Sequence, residues 1–123
     1  MAELSRRVSP TVVVFEADPD TRNLYTQYLE SRGANVRSAA TAADTFGSLH
    51  DGSPLDALIF DVVQLGMPVP AFCQAARQIA GAPPPRLILV TGWLMSPDDY
   101  AALTRLGVAL HLKPISLDAC GPR

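Results

Sequence analysis

Leu58-Ile59-Phe60 delivers a single carboxylate, Asp61, and Gly66 and Pro68 close the segment a few residues later. An unbroken apolar run ending on an acid reads as a strand buried on both faces, whose carboxyl end opens into a loop. In an open parallel sheet that end is where ligands and chemistry collect, because the loops there are free to carry polar groups. Asp61 is therefore the first candidate for function, set against the plainer reading that it only turns the chain. The same punctuation occurs three more times. Thr11-Val12-Val13-Val14-Phe15 runs into Glu16-Ala17-Asp18, Arg86-Leu87-Ile88-Leu89-Val90 ends on the hydroxyl of Thr91, and Val108-Ala109-Leu110-His111-Leu112 ends at Lys113-Pro114. Lys113 is the only lysine among ten basic residues, a compact ammonium in a chain that otherwise uses the planar guanidinium. Two carboxylates, a hydroxyl and an ammonium at one place suit phosphoryl transfer to a carboxylate. Asp61 would be the nucleophile, acids would hold Mg²⁺, Thr91 would bond the phosphoryl oxygen and Lys113 would neutralise charge. Singly, each has an ordinary alternative as a solvated loop acid, a strand-end hydroxyl or a surface cation, so the assignment depends on their convergence.

Convergence needs elements that carry the four strand ends to one edge. Asp18-Pro19 starts a helix, with Asp as N-cap and Pro at the first helical position, and Leu24, Tyr25, Tyr28 and Leu29 form an apolar stripe that Gly33 ends. Asn35–Ser38 is a short strand. Thr41, with Asp44 three residues on, makes an approximate capping box for a helix through about His50, whose buried face is Phe46 and Leu49. After the Asp61 strand, a helix from about Pro70 to Ala80 turns Phe72, Ala75, Ala76 and Ile79 inward, then stops at Gly81 and the prolines Pro83, Pro84 and Pro85. Ser96-Pro97-Asp98-Asp99 opens another, with Tyr100, Leu103 and Leu106 toward the core and Gly107 at its end. Strands alternating with helices through right-handed crossovers give a parallel sheet with helices on both faces, so Glu16, Asp61, Thr91 and Lys113 all emerge at one edge. Beyond that rhythm the chain has no internal repeat.

At 123 residues the chain is one domain, able to bury roughly two thirds of its unfolded surface in a single core. A formal charge of -2 and a pI near 5.5 leave no basic stripe, which argues against direct binding of nucleic acid or an anionic membrane. Met1–Pro10 contains Arg6 and Arg7 but no apolar segment of a signal peptide, and no run approaches a membrane span. The expected compartment is the cytoplasm, where Cys73 and Cys120, lacking metal-ligand spacing, stay reduced.

Four pieces in order, the apolar run into Glu16-Ala17-Asp18-Pro19-Asp20, Leu58-Ile59-Phe60-Asp61 with Gly66-Met67 behind it, Leu89-Val90-Thr91-Gly92, and Lys113-Pro114, resemble the receiver domain of bacterial two-component response regulators. The resemblance runs from about Thr11 to Ile115. It implies a flavodoxin-like (βα)5 doubly wound parallel sheet of strand order 2-1-3-4-5, with residues 1–10 as an N-terminal tail, 11–115 as the receiver domain and 116–123 as a short C-terminal segment, the last helix being short or missing. It further implies that Asp61 accepts a phosphoryl group from a histidine kinase or phosphotransfer protein, that Thr91 is the switch hydroxyl, and that Lys113 precedes a cis proline. Mg²⁺ would be held by Glu16, Asp61 and the backbone carbonyl of Val63.

The departures from that family are specific. Receivers carry two adjacent acids after the first strand, and here the second place is Ala17, so Mg²⁺ should bind weakly, with Glu16 one methylene longer than aspartate. Asp18 is expected to serve as the helix cap instead. Leu110 stands where the family has a switch aromatic, and Leu65 where a proline is usual in the loop after the acceptor. Only nine residues follow Pro114, so apolar surface normally covered by a last helix is expected to meet a second copy or a fused or partner protein. Ala17 and Leu110 motivate a second reading, a degenerate receiver that binds protein without being phosphorylated. Asp18-Pro19-Asp20-Thr21 resembles the nucleophile loop of haloacid dehalogenase phosphatases, but the adjacent pair of acids expected after the lysine is absent, since Asp98-Asp99 precede Lys113. A dinucleotide site is disfavoured because no glycine-rich turn follows the first strand.

Overall fold

β-Branched and aromatic residues dominate the first apolar run, leucine shares the later ones, and each run forms a strand. A computed structural model describes residues 9–50, 54–62, 65–92 and 96–112. In chain order the elements are β1 (Thr11–Phe15), α1 (Pro19–Ser31), β2 (Asn35–Ala39), α2 (Ala42–Leu49), β3 (Ala57–Phe60), α3 (Val69–Ala80), β4 (Arg86–Thr91), α4 (Pro97–Arg105) and β5 (Ala109–Leu112). The five strands form one parallel sheet of order β2-β1-β3-β4-β5, the flavodoxin-like arrangement expected. The segment after Leu112, where a last helix would fall, lies outside the described residues.

Alternation along the central strands divides the interior into two cores. Val13, Phe15, Leu58, Phe60, Leu87 and Leu89 face Phe72, Cys73 and Ala76 of α3 and Leu103 of α4. Val12, Val14, Ile59, Ile88 and Val90 face the other way, in the core that contains Tyr25 and Leu29 of α1. Phe72 is the hub of the first core, its ring centroid 5.8 Å from Phe15, 5.4 Å from Phe46 and 5.0 Å from Phe60, in the tilted arrangements that aromatic rings favour. Cys73 is a free, buried thiol beside it.

Local chemistry sets the helix limits. Asp18, Thr41 and Ser96 each accept, through a side-chain oxygen, the amide of the residue three positions on, at 2.8, 3.0 and 3.2 Å. Helices α1 and α4 end alike. Gly33 and Gly107 take the left-handed conformation, with φ of 94° and 72°. The amides that follow, of Ala34 and Val108, reach back to the carbonyls of Leu29 and Leu103 at 3.1 and 3.0 Å. This double-bonded stop buries its flanking apolar pair and releases the chain directly into the next strand. Arg77 of α3 also donates through Nη1 to the carbonyl of Leu106 at the end of α4.

The amino ends of the three central strands are tied by one residue, through its side chain and its backbone. Asp56 Oδ2 accepts from the Thr11 amide at 2.8 Å, the Asp56 amide donates to the Thr11 carbonyl at 2.9 Å, and the Asp56 carbonyl accepts from the Arg86 amide at 3.0 Å.

Two expected core positions differ. Leu24 is 57% exposed and Tyr100 54% exposed. Tyr25 and Leu29, four apart, already fill the buried side of α1, and Leu24 is turned about 100° from Tyr25. Helix α4 packs against α3 at the margin of the sheet, so Leu103 and Leu106 reach the core while Tyr100, in the first turn, remains in solvent. Helix α3 begins at Val69, one residue before the expected start, which leaves Pro70 within the first turn, where its missing amide costs nothing.

Removing the Asp56 carboxylate strands the Thr11 amide, so Asp56→Ala is expected to lower unfolding free energy by about 1–3 kcal/mol, measured by urea denaturation. Burial pushes the Cys73 thiol up from 9.0 to about 11, with the Arg77 guanidinium pulling it part of the way back. Cys73 should therefore escape alkylation in the native protein at pH 8 and become reactive on unfolding, as peptide mapping would show. Because the raised value belongs to the folded state, its contribution to stability is intact below pH 9 and declines as pH rises toward about 11.

Candidate functional site

Among the described residues four polar side chains are buried: Glu16, Thr45, Asp61 and Thr91. Thr45 returns its hydroxyl to the Thr41 carbonyl at 2.9 Å within its own helix. The other three share one edge of the sheet. Phe15 and Phe60 are partners across the β1–β3 pair, and the next residue on each strand is the acid, Glu16 and Asp61. Adjacent strands lie about 4.8 Å apart, so this register sets the two carboxyl-bearing residues side by side. They are only 6% and 5% exposed. On the other side of β3, Phe60 pairs with Leu89, and Thr91, fully buried, ends β4 two residues later. Glu16, Asp61 and Thr91 are thus gathered as their strand ends implied. Thr91 in turn pairs with Leu112, the residue before Lys113. Lys113 and Val63 themselves lie outside the described residues.

The turn from β1 into α1 is built from its own polar groups. Glu16 Oε2 accepts from the Asp18 amide at 3.0 Å, and the Glu16 amide donates to the Ala39 carbonyl at 3.0 Å. Asp18 Oδ2 accepts from both the amide and the hydroxyl of Thr21, at 2.8 and 2.7 Å. Asp18 is exposed and serves as the helix cap, as its place before Pro19 indicated. Ala17 brings a methyl group and no ligand. Two participants were not singled out from the sequence. Thr21 braces the cap, and Arg22 donates through Nη1 to the Glu16 carbonyl at 2.8 Å and the Ala17 carbonyl at 3.4 Å. The available signal was position: Arg22 falls four residues after the N-cap, within the first turns that adjoin the loop.

Asp61 is held at its own turn, where Oδ1 accepts from the Val62 amide at 2.6 Å. The Leu65 amide donates to the Val62 carbonyl at 3.2 Å, and Leu65 is buried in the first core. Leu110 packs partly buried against that same core. Both leucines therefore fill apolar space at the places where the resemblance led one to look for a proline and an aromatic.

A pair of neighbouring buried carboxylates suits a hard divalent cation. Mg²⁺ keeps several waters and takes one or two protein carboxylates, completing its shell with phosphate oxygens. Glu16 and Asp61 fit that description as a sparse site. Among the described residues no group of three or more His, Cys, Asp or Glu side chains is placed to hold a metal, and no helix is long and apolar enough to cross a membrane.

No family model and no curated protein matches the sequence. Solved structures do. The chain is similar to a CheY-like response regulator receiver domain protein from Methanospirillum hungatei, with a TM-score of 0.78 and 21% identity over 91% of this chain and 87% of that one. A response regulator receiver protein from Pseudomonas putida gives 0.77 and 24% over 91% and 92%. A response regulator protein from Burkholderia pseudomallei with a phosphorylated aspartic acid, calcium ion and citrate gives 0.78 and 15%, over 91% of this chain and 64% of that one. With five parallel strands in the order 2-1-3-4-5 and this likeness across nearly its whole length, the chain has the fold of response regulator receiver domains.

Proposed function

We propose that this chain is a signalling receiver that accepts a phosphoryl group on Asp61 from a histidine kinase or phosphotransfer protein. One observation carries the reading: the buried polar side chains at the carboxyl edge of the sheet are two carboxylates, side by side by strand register, and a hydroxyl at the end of the neighbouring strand. An oxygen of Asp61 would form the new P–O bond as the P–N bond to the donor imidazole breaks, the electron pair staying on the nitrogen. Thr91 would donate its hydroxyl to a phosphoryl oxygen, and Lys113 would supply the positive charge that the two carboxylates call for. Glu16, Asp61 and the Val63 carbonyl would hold Mg²⁺. When bound, that ion would supply charge neutralisation for the anionic acceptor and donor, and the absence of an acid at Ala17 lowers the affinity with which it is held. Movement of the Thr91 loop would change the partner surface. The domain comprises residues 11–115 and acts in the cytoplasm, with a protein rather than nucleic acid or membrane as its direct partner.

A second reading, a phosphorylation-independent binding module, is favoured by Ala17 and Leu110. The phosphatase reading is disfavoured by the use of Asp18 as an exposed helix cap, accepting from the amide and hydroxyl of Thr21.

Trp93, the sole tryptophan, follows Thr91 by two residues in the sequence and lies outside the described residues; its fluorescence is expected to sense the site. Mg²⁺ with beryllofluoride should change its fluorescence, and acetyl phosphate should add one phosphate mass. Asp61→Asn should abolish both responses. A flat titration at millimolar Mg²⁺ with no added mass would favour the binding module, and phosphate release from small phosphoesters, lost in Asp18→Asn, would restore the phosphatase. Supplying the missing acid with Ala17→Asp should tighten Mg²⁺ by about tenfold or more, read by the same titration.

A further inference from the structure

Arg22 belongs to α1, yet its side chain runs back to the loop that precedes the helix. Nη1 lies 2.8 Å from the Glu16 carbonyl and 3.4 Å from the Ala17 carbonyl, so one cation bridges two consecutive peptide oxygens. The Arg22 amide meanwhile makes the first helical bond to the Asp18 carbonyl at 2.9 Å. Backbone and side chain of this one residue therefore engage Glu16, Ala17 and Asp18, the whole connection between β1 and α1. Guanidinium-to-carbonyl bonds are charge-assisted and stronger than neutral ones, and at a half-buried position solvent competes with them less.

The consequence falls on Glu16. Its carboxylate folds over this connection to take the Asp18 amide at 3.0 Å. That amide shares its own peptide plane with the Ala17 carbonyl, and the plane before it carries the Glu16 carbonyl, so the two oxygens Arg22 holds fix the direction in which the amide points. Ala17 has no side chain with which to secure the loop to a cation, so the backbone has to be fixed from behind. We propose that Arg22 is a positioning residue: by clamping the Glu16 and Ala17 carbonyls it keeps the Glu16 carboxylate beside Asp61, and divalent-cation binding depends on it although it touches neither the cation nor the phosphoryl group. This rests on the receiver reading.

If Arg22 acts through Glu16, its effect vanishes when Glu16 no longer has a carboxylate to aim. Mg²⁺ affinity, followed by Trp93 fluorescence, should fall by about tenfold in Arg22→Ala, as for other supporting residues around a metal site. Arg22→Lys, which keeps a donor and the charge on a point-like head, should recover most of the loss. In a Glu16→Gln background, Arg22→Ala should add nothing, a non-additivity that a merely structural role would not produce. In metal-free protein the Asp18 amide should exchange its hydrogen slowly in the wild type and Arg22→Lys, and faster in Arg22→Gln. That comparison stands even where Arg22→Ala does not fold. Additive losses in the double variant, or an Arg22→Ala protein with wild-type affinity, would overturn the role of Arg22 and leave the receiver reading intact. A wild-type protein blind to both Mg²⁺ and beryllofluoride would overturn the two together.

Discussion

The register between β1, β3 and β4 is the constraint on which the pocket depends. Each strand runs through apolar residues to a polar one at or just past its end, so a single alignment both closes the core and brings Glu16, Asp61 and Thr91 to one edge of the sheet. A slip of one residue would turn every apolar side chain of a strand to the opposite face and move its terminal group out of line, and burial on both sides makes that slip prohibitively costly. Asp56 adds a polar lock at the opposite end, tying Thr11 and Arg86 to one backbone position. Site geometry is thus set some distance away, at the amino ends of the strands.

Placing carboxylates in a largely water-free edge runs against their hydration and requires compensating partners. Part of that compensation is local. The Val62 amide serves Asp61 and the Asp18 amide serves Glu16, so peptide dipoles face both acids. Part is relayed through Arg22, which works on the backbone beneath Glu16 rather than on its carboxylate. Ala17 brings no charge to this edge, while Leu65 and Leu110 put aliphatic bulk into the adjoining core.

Much of this was legible in the chain. Apolar runs with acids or hydroxyls at their ends specified strands and their polar tips, and Asp18-Pro19, Thr41, Ser96-Pro97, Gly33 and Gly107 specified helix limits, because caps, prolines and left-handed glycines act over four or five residues. Strand order followed from βα alternation together with the resemblance. Less was legible where an outcome depends on which elements become neighbours. Leu24 and Tyr100 match a helical stripe as well as their buried companions do, and only the limited breadth of the contact made by α1 and α4 leaves them in solvent. Asp56 and Arg22 look like ordinary loop and helix-surface charges until β1 and β4 close on the one and the β1–α1 turn folds under the other. Sequence alone determined which residues are apolar, which are polar and where the chain must turn, since those are properties of near neighbours. The tertiary structure alone decided the register that sets two acids 45 positions apart on directly adjacent strand positions, because that alignment exists only through the pairing of β1 with β3.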